Sequence, residues 1–295
     1  MAMNRSPIPY IGGKFYSRDR IIQAFPASDS YRTYVEPFCG ACNVLLAKSP
    51  HNHLEVVNDF SGDLVNFWMQ CRNHPEELQR QIDTLPYARS LYEQWQVSLF
   101  DGSQMSEMER AVRWFYVLHS AVGGLVRKAG GNWGYQIRRT DFGDDQANKM
   151  HRAASLFSII AGRFRRIQIE HSDFEKIIST YGRDSTFFYC DPPYIGAEFY
   201  YNGVPAFTMV DHERLAQALN NTPAKVALSY YPHEALDQWY PASKWRRITW
   251  QTYKYSEKTS SERQTATEML LCNYPAASGS LWDSQDDDQI TGCID

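Results

Sequence analysis

Several features are scarce in this chain. Among its 295 residues there is no apolar run of transmembrane length, and Met1 to Tyr10 contains no apolar signal segment. A soluble, cytoplasmic protein is expected, with no membrane partner. Of the six cysteines (Cys39, Cys42, Cys71, Cys190, Cys272 and Cys293), only Cys39 and Cys42 form a CxxC. No second pair or nearby histidine completes a zinc site, so no metal is expected. Reduced, buried thiols suit a reducing compartment. The Gly-x-Gly-x-x-Gly fingerprint is missing, which removes the usual signature of a pyrophosphate-bearing cofactor. No internal repeat is visible. An overall basic excess is missing too, because the net charge is −4.

The charge is unevenly spread. From Ala276 to Asp295 there are five acids and no Lys or Arg, and without this stretch 30 basic residues face 29 acidic ones. Between Arg110 and Glu170 there are eleven basic and four acidic residues, a local +7. Basic charge concentrated in the middle third is what a phosphate-binding surface needs. The acidic tail, 276–295, has the composition of a disordered segment.

Hydrophobic residues make up 43% of the chain, enough for one large α/β domain with an insertion. Strands are predicted at Tyr34–Phe38, Leu54–Asp59, Arg166–Glu170, Thr186–Cys190 and Lys225–Ser229, near Ile248, and at Glu268–Tyr274. Helices are predicted from near Asn43, over Ser61–Cys71, Phe174–Ile178, Asp211–Leu219 and His233–Tyr240. Pro75 to about Ala161 reads as mostly helical, broken by a loop at Ala129–Gly134. The expected fold is a Rossmann-like α/β sheet. Its discontinuous main domain covers 1–74 and 161–275, with a helical insertion at 75–160.

The richest chemistry follows the apolar run Thr186–Cys190. Asp191-Pro192-Pro193-Tyr194 places a carboxylate, a rigid kink and an aromatic ring at a strand's C-terminal end, where open α/β sheets bind ligands. A flat, amino-bearing base can stack on Tyr194. Its amine can donate one hydrogen bond to Asp191 and another to the Pro192 carbonyl, which draws the nitrogen lone pair out of ring conjugation. The prolines hold that carbonyl still, because their φ is fixed and they offer no competing N–H. The cluster resembles the motif of amino-group DNA methyltransferases, which move a methyl from S-adenosylmethionine to adenine N6 or cytosine N4.

A nucleotide-type site precedes it. Phe38 is followed by Cys39-Gly40-Ala41-Cys42, where backbone can approach a ligand at Gly40. Asp59 lies 23 residues after Glu36, the spacing at which a carboxylate accepts ribose hydroxyls. Upstream, Tyr10 can cover the adenine or sulfonium and Lys14 can meet the methionine carboxylate. Tyr10-Ile11-Gly12-Gly13-Lys14, Glu36-Pro37-Phe38, Asp59, Asp191–Tyr194, Arg263 and Glu268–Tyr274 together resemble, in order, the Dam family of adenine-N6 DNA methyltransferases. The likeness spans about Ser6 to Pro275. It implies S-adenosylmethionine as cofactor, Asp173 and Phe174 as contacts to its adenine, Asp191, Pro192 and Tyr194 as the catalytic set, and DNA as substrate. Cys42 stands at the family's second loop glycine, so the backbone there is expected to approach the ligand less closely.

In the insertion, Gly123-Gly124-Leu125-Val126-Arg127 resembles a stretch of GATC-reading members, with Gly123 where they carry asparagine. Arg127, Lys128 and Arg138 are candidates for bases or phosphates, and Trp133 and Tyr135 for stacking where a base is extruded. The expected function is adenine-N6 methylation of DNA by base flipping. Cytosine-N4 transfer and an inactive DNA-binding protein are the alternatives, and a cognate restriction enzyme is the protein partner such a role would add.

Overall fold

The inner parallel strands are buried on both faces, so each needs cover on two sides. In the computed structural model, which describes residues 5–10, 12–51, 53–127, 132–135, 145–196, 206–253 and 265–276, they form the centre of a seven-stranded sheet. The strands are β1 (Thr33–Glu36), β2 (Leu54–Asn58), β3 (Ile167–Glu170), β4 (Thr186–Cys190), β5 (Lys225–Tyr230), β6 (Arg246–Tyr253) and β7 (Thr265–Cys272). Their order is β3-β2-β1-β4-β5-β7-β6. The first five are parallel, and β7 runs antiparallel to both β5 and β6. The alternating pattern of the sequence predicts the strands but not this reversed pair. The order reverses between β1 and β4, which makes their C-terminal ends the natural ligand crevice.

Strand alternation sorts the core into two layers. Tyr34, Val57, Phe187, Tyr189 and Ala227 pack on one face with α1 (Arg18–Gln23), α2 (Asn43–Ala47) and α3 (Gly62–Asn73). Val35, Val56, Phe188, Cys190 and Val226 pack on the other with α9 (Phe174–Tyr181), α10 (Met209–Asn221) and α11 (Ala235–Trp239). Burial pattern thus sets the three-layer architecture. Helix α1 carries no strong periodic signal and was not expected. Helix α3 starts where Ser61 Oγ accepts from Leu64 N at 3.4 Å, capping the helix.

The insertion comprises α4 (Pro75–Asp83), α5 (Arg89–Ser98), α6 (Glu107–Ser120), α7 (Gln146–Ala154) and α8 (Phe157–Phe164). It does not form a core of its own. Phe115 and Phe157 lie against Phe67 of α3, with ring centroids 5.5 and 5.8 Å away. Arg163 of α8 meets the buried Glu55 of β2 at 2.8 Å, and Lys48 meets the same carboxylate at 3.0 Å. These contacts join the insertion to the layer over α3. No described helix is long and apolar enough to cross a membrane.

Candidate active site

A cavity of about 250 Å³ opens over the C-terminal ends of β1, β2, β3 and β4. Its floor is the loop after β1. Gly40 has φ +46°, and a side chain there would press into the Tyr10 ring, so glycine lets the loop pass beneath that ring. The loop is held from both sides. Asp59 Oδ2 accepts from Gly40 N at 3.0 Å, while Trp68 Nε1 donates to Gly40 O at 3.1 Å. Asp59 Oδ1 also accepts from Ser61 N at 3.0 Å. The carboxylate is therefore a strap for the glycine loop as well as a wall of the cavity, and its spare lone pairs remain for a ligand.

Cys42 takes the place of a second loop glycine. It adopts φ 52°, ψ 28°, the left-handed conformation that a glycine would take at no cost, and it is fully buried. Its side chain turns away from the cavity, whose wall is formed by Cys39, Gly40 and Ala41. The strain is carried by one buried residue outside the cavity lining. Burial pushes the Cys39 and Cys42 thiols up from their ordinary value, so both are protonated packing groups. Among the described residues no cluster of His, Cys, Asp and Glu suits a metal ion.

Four ionisable side chains crowd the other end. Lys14 Nζ is 2.8 Å from Asp191 Oδ1 and 2.8 Å from Gly12 O, and it sits 4.7 Å from the Tyr194 ring centre. Tyr194 is only 7% exposed, and its hydroxyl donates to Glu268 Oε2 on β7 at 3.0 Å. Pro193 lines the cavity and the Tyr194 ring does not. From the sequence, Lys14 is expected at the methionine carboxylate and the Tyr194 face is expected to take the base. In this structure the ammonium lies against Asp191 and over the Tyr194 ring. Burial raises the Asp191 and Glu268 carboxyls above their usual range, against the pull of Lys14.

Glu36 belongs to the Glu36-Pro37-Phe38 motif, which by itself assigns it no role. It lines the cavity at 2% exposure, and Tyr34 Oη donates to it at 2.6 Å. Burial drives its carboxyl up to about 8, with the nearby Asp191 charge adding to the shift. Asn58 was missed altogether. Its Nδ2 donates to Pro37 O at 2.8 Å and Ser172 O at 3.0 Å, and its Oδ1 accepts from Ser172 N at 2.8 Å. One buried amide thus ties together the loops after β1 and β3. A polar residue closing an apolar strand beside Asp59 was the available signal.

Asp173 and Phe174 open α9 at the cavity's far wall. Asp173 Oδ1 caps the helix by accepting from Glu175 N at 2.8 Å. The Phe174 ring centre lies 5.6 Å from those of Phe38 and Phe207, forming an aromatic slot. Tyr10, Lys14, Phe38, Gly40, Asp59, Asp173, Phe174 and Asp191 all line this one cavity.

The candidate DNA residues lie elsewhere, on the insertion. Residues 132–135 are pinned to the end of α6 by Val122 N to Asn132 O at 2.9 Å and Gly134 N to Ser120 O at 2.6 Å. Trp133 and the 61% exposed Tyr135 stack with centroids 6.0 Å apart. The Arg89 guanidinium, not anticipated, covers both rings at 4.9 and 5.7 Å. Arg127 is half-buried, and its carbonyl accepts from Gln96 Nε2 at 3.0 Å. His119 is tied to Pro7 O at 2.9 Å. Gly124 has a structural role, because a side chain there would strike the Pro9 carbonyl oxygen. Lys128, Arg138 and Arg263 lie outside the described residues.

A parallel sheet with a reversed β7, a glycine loop strapped by a carboxylate, and Asp-Pro-Pro-Tyr at the crevice define a Rossmann-like methyltransferase. Sequence comparison gives the particular kind: the profile of the D12 class N6 adenine-specific DNA methyltransferases matches residues 10–254, and the chain belongs to that family. It is also similar to the Type II methyltransferase M1.LlaDCHI of Lactococcus lactis subsp. cremoris, with 26% identity over 283 residues, covering 90% of this chain and 94% of the relative. The enzyme transfers a methyl group to adenine N6 in DNA.

Proposed function

We propose that the enzyme takes its methyl group from S-adenosylmethionine held in the cavity and delivers it to an adenine flipped out of the duplex. The observation that carries this reading is the position of Asp191 at the β4 end, on the same cavity as Gly40, Asp59 and the Phe174 slot. The donor set suits that cofactor: an aromatic slot with a carboxylate for adenine, Asp59 for the ribose, and Glu36 near the cationic end. The cofactor supplies a methyl activated by a positive sulfonium. The protein's own residues position and polarise.

In this reading Asp191 and the Pro192 carbonyl accept from the target amine, and Tyr194 stacks on the base. Glu268 holds the Tyr194 ring by its hydroxyl. Lys14 makes on Asp191 and Tyr194 the two contacts that the incoming base needs, so its ammonium leaves that acceptor before transfer. The helices of 75–160 carry target recognition, with Arg127, Trp133, Tyr135 and Arg89 toward the DNA. The relative's designation as a Type II methyltransferase supports pairing with a restriction enzyme.

The test is incubation with unmethylated duplex DNA and S-adenosylmethionine, followed by mapping of modified bases. N6-methyladenine at a defined sequence motif is expected. Modification of cytosine N4, or of RNA in preference to duplex DNA, would overturn the reading.

A further inference from the structure

Arg214, on the first turns of α10, is the centre of a charge cluster at the cavity's far wall. Its Nη2 donates to Glu175 Oε2 at 2.6 Å and to the two oxygens of Asp173 at 3.2 and 3.3 Å. Its Nη1 donates to Asp211 Oδ1 at 2.8 Å. The guanidinium carbon also lies 5.0 Å from the Phe174 ring centre. One cation thus holds three carboxylates from two helices and packs on an aromatic ring. A planar fork aims separate N–H groups at separate carboxylates while its flat face packs on the ring, a geometry that a compact ammonium does not reproduce.

The three acids are not equivalent. Asp211 is committed, since its Oδ2 accepts from Thr208 N and Thr208 Oγ1 at 2.8 and 2.7 Å while Oδ1 takes Arg214. Glu175 does not line the cavity, whereas Asp173 does. Asp173 Oδ1 is shared between Glu175 N and Arg214, which leaves Oδ2 with spare acceptor capacity beside the Phe38–Phe174–Phe207 slot. Without the guanidinium, three like charges would crowd the start of α9 and push the Asp173 side chain toward water.

We propose that Arg214 is the positioning residue of the cofactor's adenine subsite: it aims the Asp173 carboxylate at the exocyclic amine of the adenine and fastens α10 across the aromatic slot. This rests on the reading of Asp173 and Phe174 as the adenine contacts. It adds a physical link in the chain, because α10 lies downstream of the Asp191–Tyr194 loop. The wall that grips the cofactor's adenine and the loop that grips the target are parts of one connected segment of sequence.

The test uses two probes of equal charge, S-adenosylhomocysteine and its analogue with purine in place of adenine, titrated calorimetrically into the full-length enzyme. Their charge is the same, so any general electrostatic effect of losing Arg214 cancels in the ratio of the two affinities. The wild type is expected to prefer the adenine compound by roughly tenfold or more, the effect of one hydrogen bond to a charged acceptor. In Arg214→Met, which keeps an unbranched apolar stem over Phe174, the ratio is expected to fall to within about threefold. If Arg214→Met does not fold, Arg214→Lys carries the test, and its ratio must drop at least about threefold because its ammonium cannot fork. A variant that weakens both probes equally and keeps the ratio overturns the proposal and leaves the adenine reading intact. A wild type that binds both probes alike overturns the adenine reading of Asp173, and the proposal falls with it.

Discussion

At the strand ends, Lys14, Glu36, Asp191 and Glu268 are buried or nearly so, and every one of them touches another polar group of the site. On the insertion, Arg89 stands in solvent over the faces of Trp133 and Tyr135. The two regions handle charge under different rules. Buried charges interact strongly because water is excluded, and each removal leaves a partner stranded. Exposed cations on aromatic faces contribute little individually and are tuned by salt. Chemistry on an amine needs the first arrangement, because a polarising acceptor must be fixed and dry. Recognition of a polyanion that must bind, slide and release is better served by the second.

The largest effect that can break this comparison is Asp191→Ala. If the carboxylate polarises the target amine, methyl transfer falls on the order of 10²–10³-fold, with cofactor affinity nearly unchanged. A variant that keeps more than about a tenth of wild-type transfer would remove Asp191 from the mechanism. Asp59→Ala ranks next. If Asp59 accepts the ribose hydroxyls, as proposed, its loss removes a charged acceptor worth roughly 1.5–3 kcal/mol. It also leaves Gly40 N and Ser61 N without the partner they now have. Cofactor titration should show weaker binding and thermal unfolding a lower Tm; unchanged affinity in the folded variant would end the ribose role.

Glu36 gives the comparison a pH axis. Its folded value of about 8 lies above the ordinary 4.5, so the folded state binds that proton more tightly than the unfolded chain does. Its stabilisation is complete below about 4.5 and is lost as pH rises through 8. Glu36→Gln should flatten the decline of Tm between pH 5 and pH 9 and be more stable than wild type at the upper end by about 1–2 kcal/mol, allowing for relaxation of the site. Asp59, Asp191 and Glu268 are shifted in the same direction and leave a residual slope. Parallel wild-type and variant curves would mean that Glu36 is ionised throughout.

The difference between the regions also explains how much the sequence alone could tell. Strand β4 is buried at every position, so its apolar run is unmistakable, and Asp191 and Asp59 stand where chemistry allows few other residue types. The Tyr34–Glu36 bond was within reach too, since residues two apart on a strand share a face. The Lys14–Asp191 contact was not, because it joins residues far apart in the chain through a loop. Arg214 was hidden for the same reason: its three acids meet only after α9 and α10 pack. In the insertion, Arg127 stands in a recognisable motif, whereas Arg89 meets Trp133 only through the packing of α5. Many side chains can meet a phosphate, so no one residue type marks such a surface.

The smallest effect is the most discriminating for that surface. Arg89→Ala leaves the cavity untouched, so cofactor affinity and the Tm plateau should stay at wild-type values. DNA binding of the wild type should weaken as salt rises despite the net charge of −4, because basic charge is concentrated in the middle third. If Arg89 neutralises one phosphate, the variant's slope of log K against log salt becomes shallower by about 0.9. If the guanidinium instead only rigidifies Trp133 and Tyr135, the loss is about 0.5–1 kcal/mol of affinity with the slope preserved. A fall in cofactor affinity would contradict both outcomes and show that the insertion and the cavity are energetically coupled through the layer they share over α3.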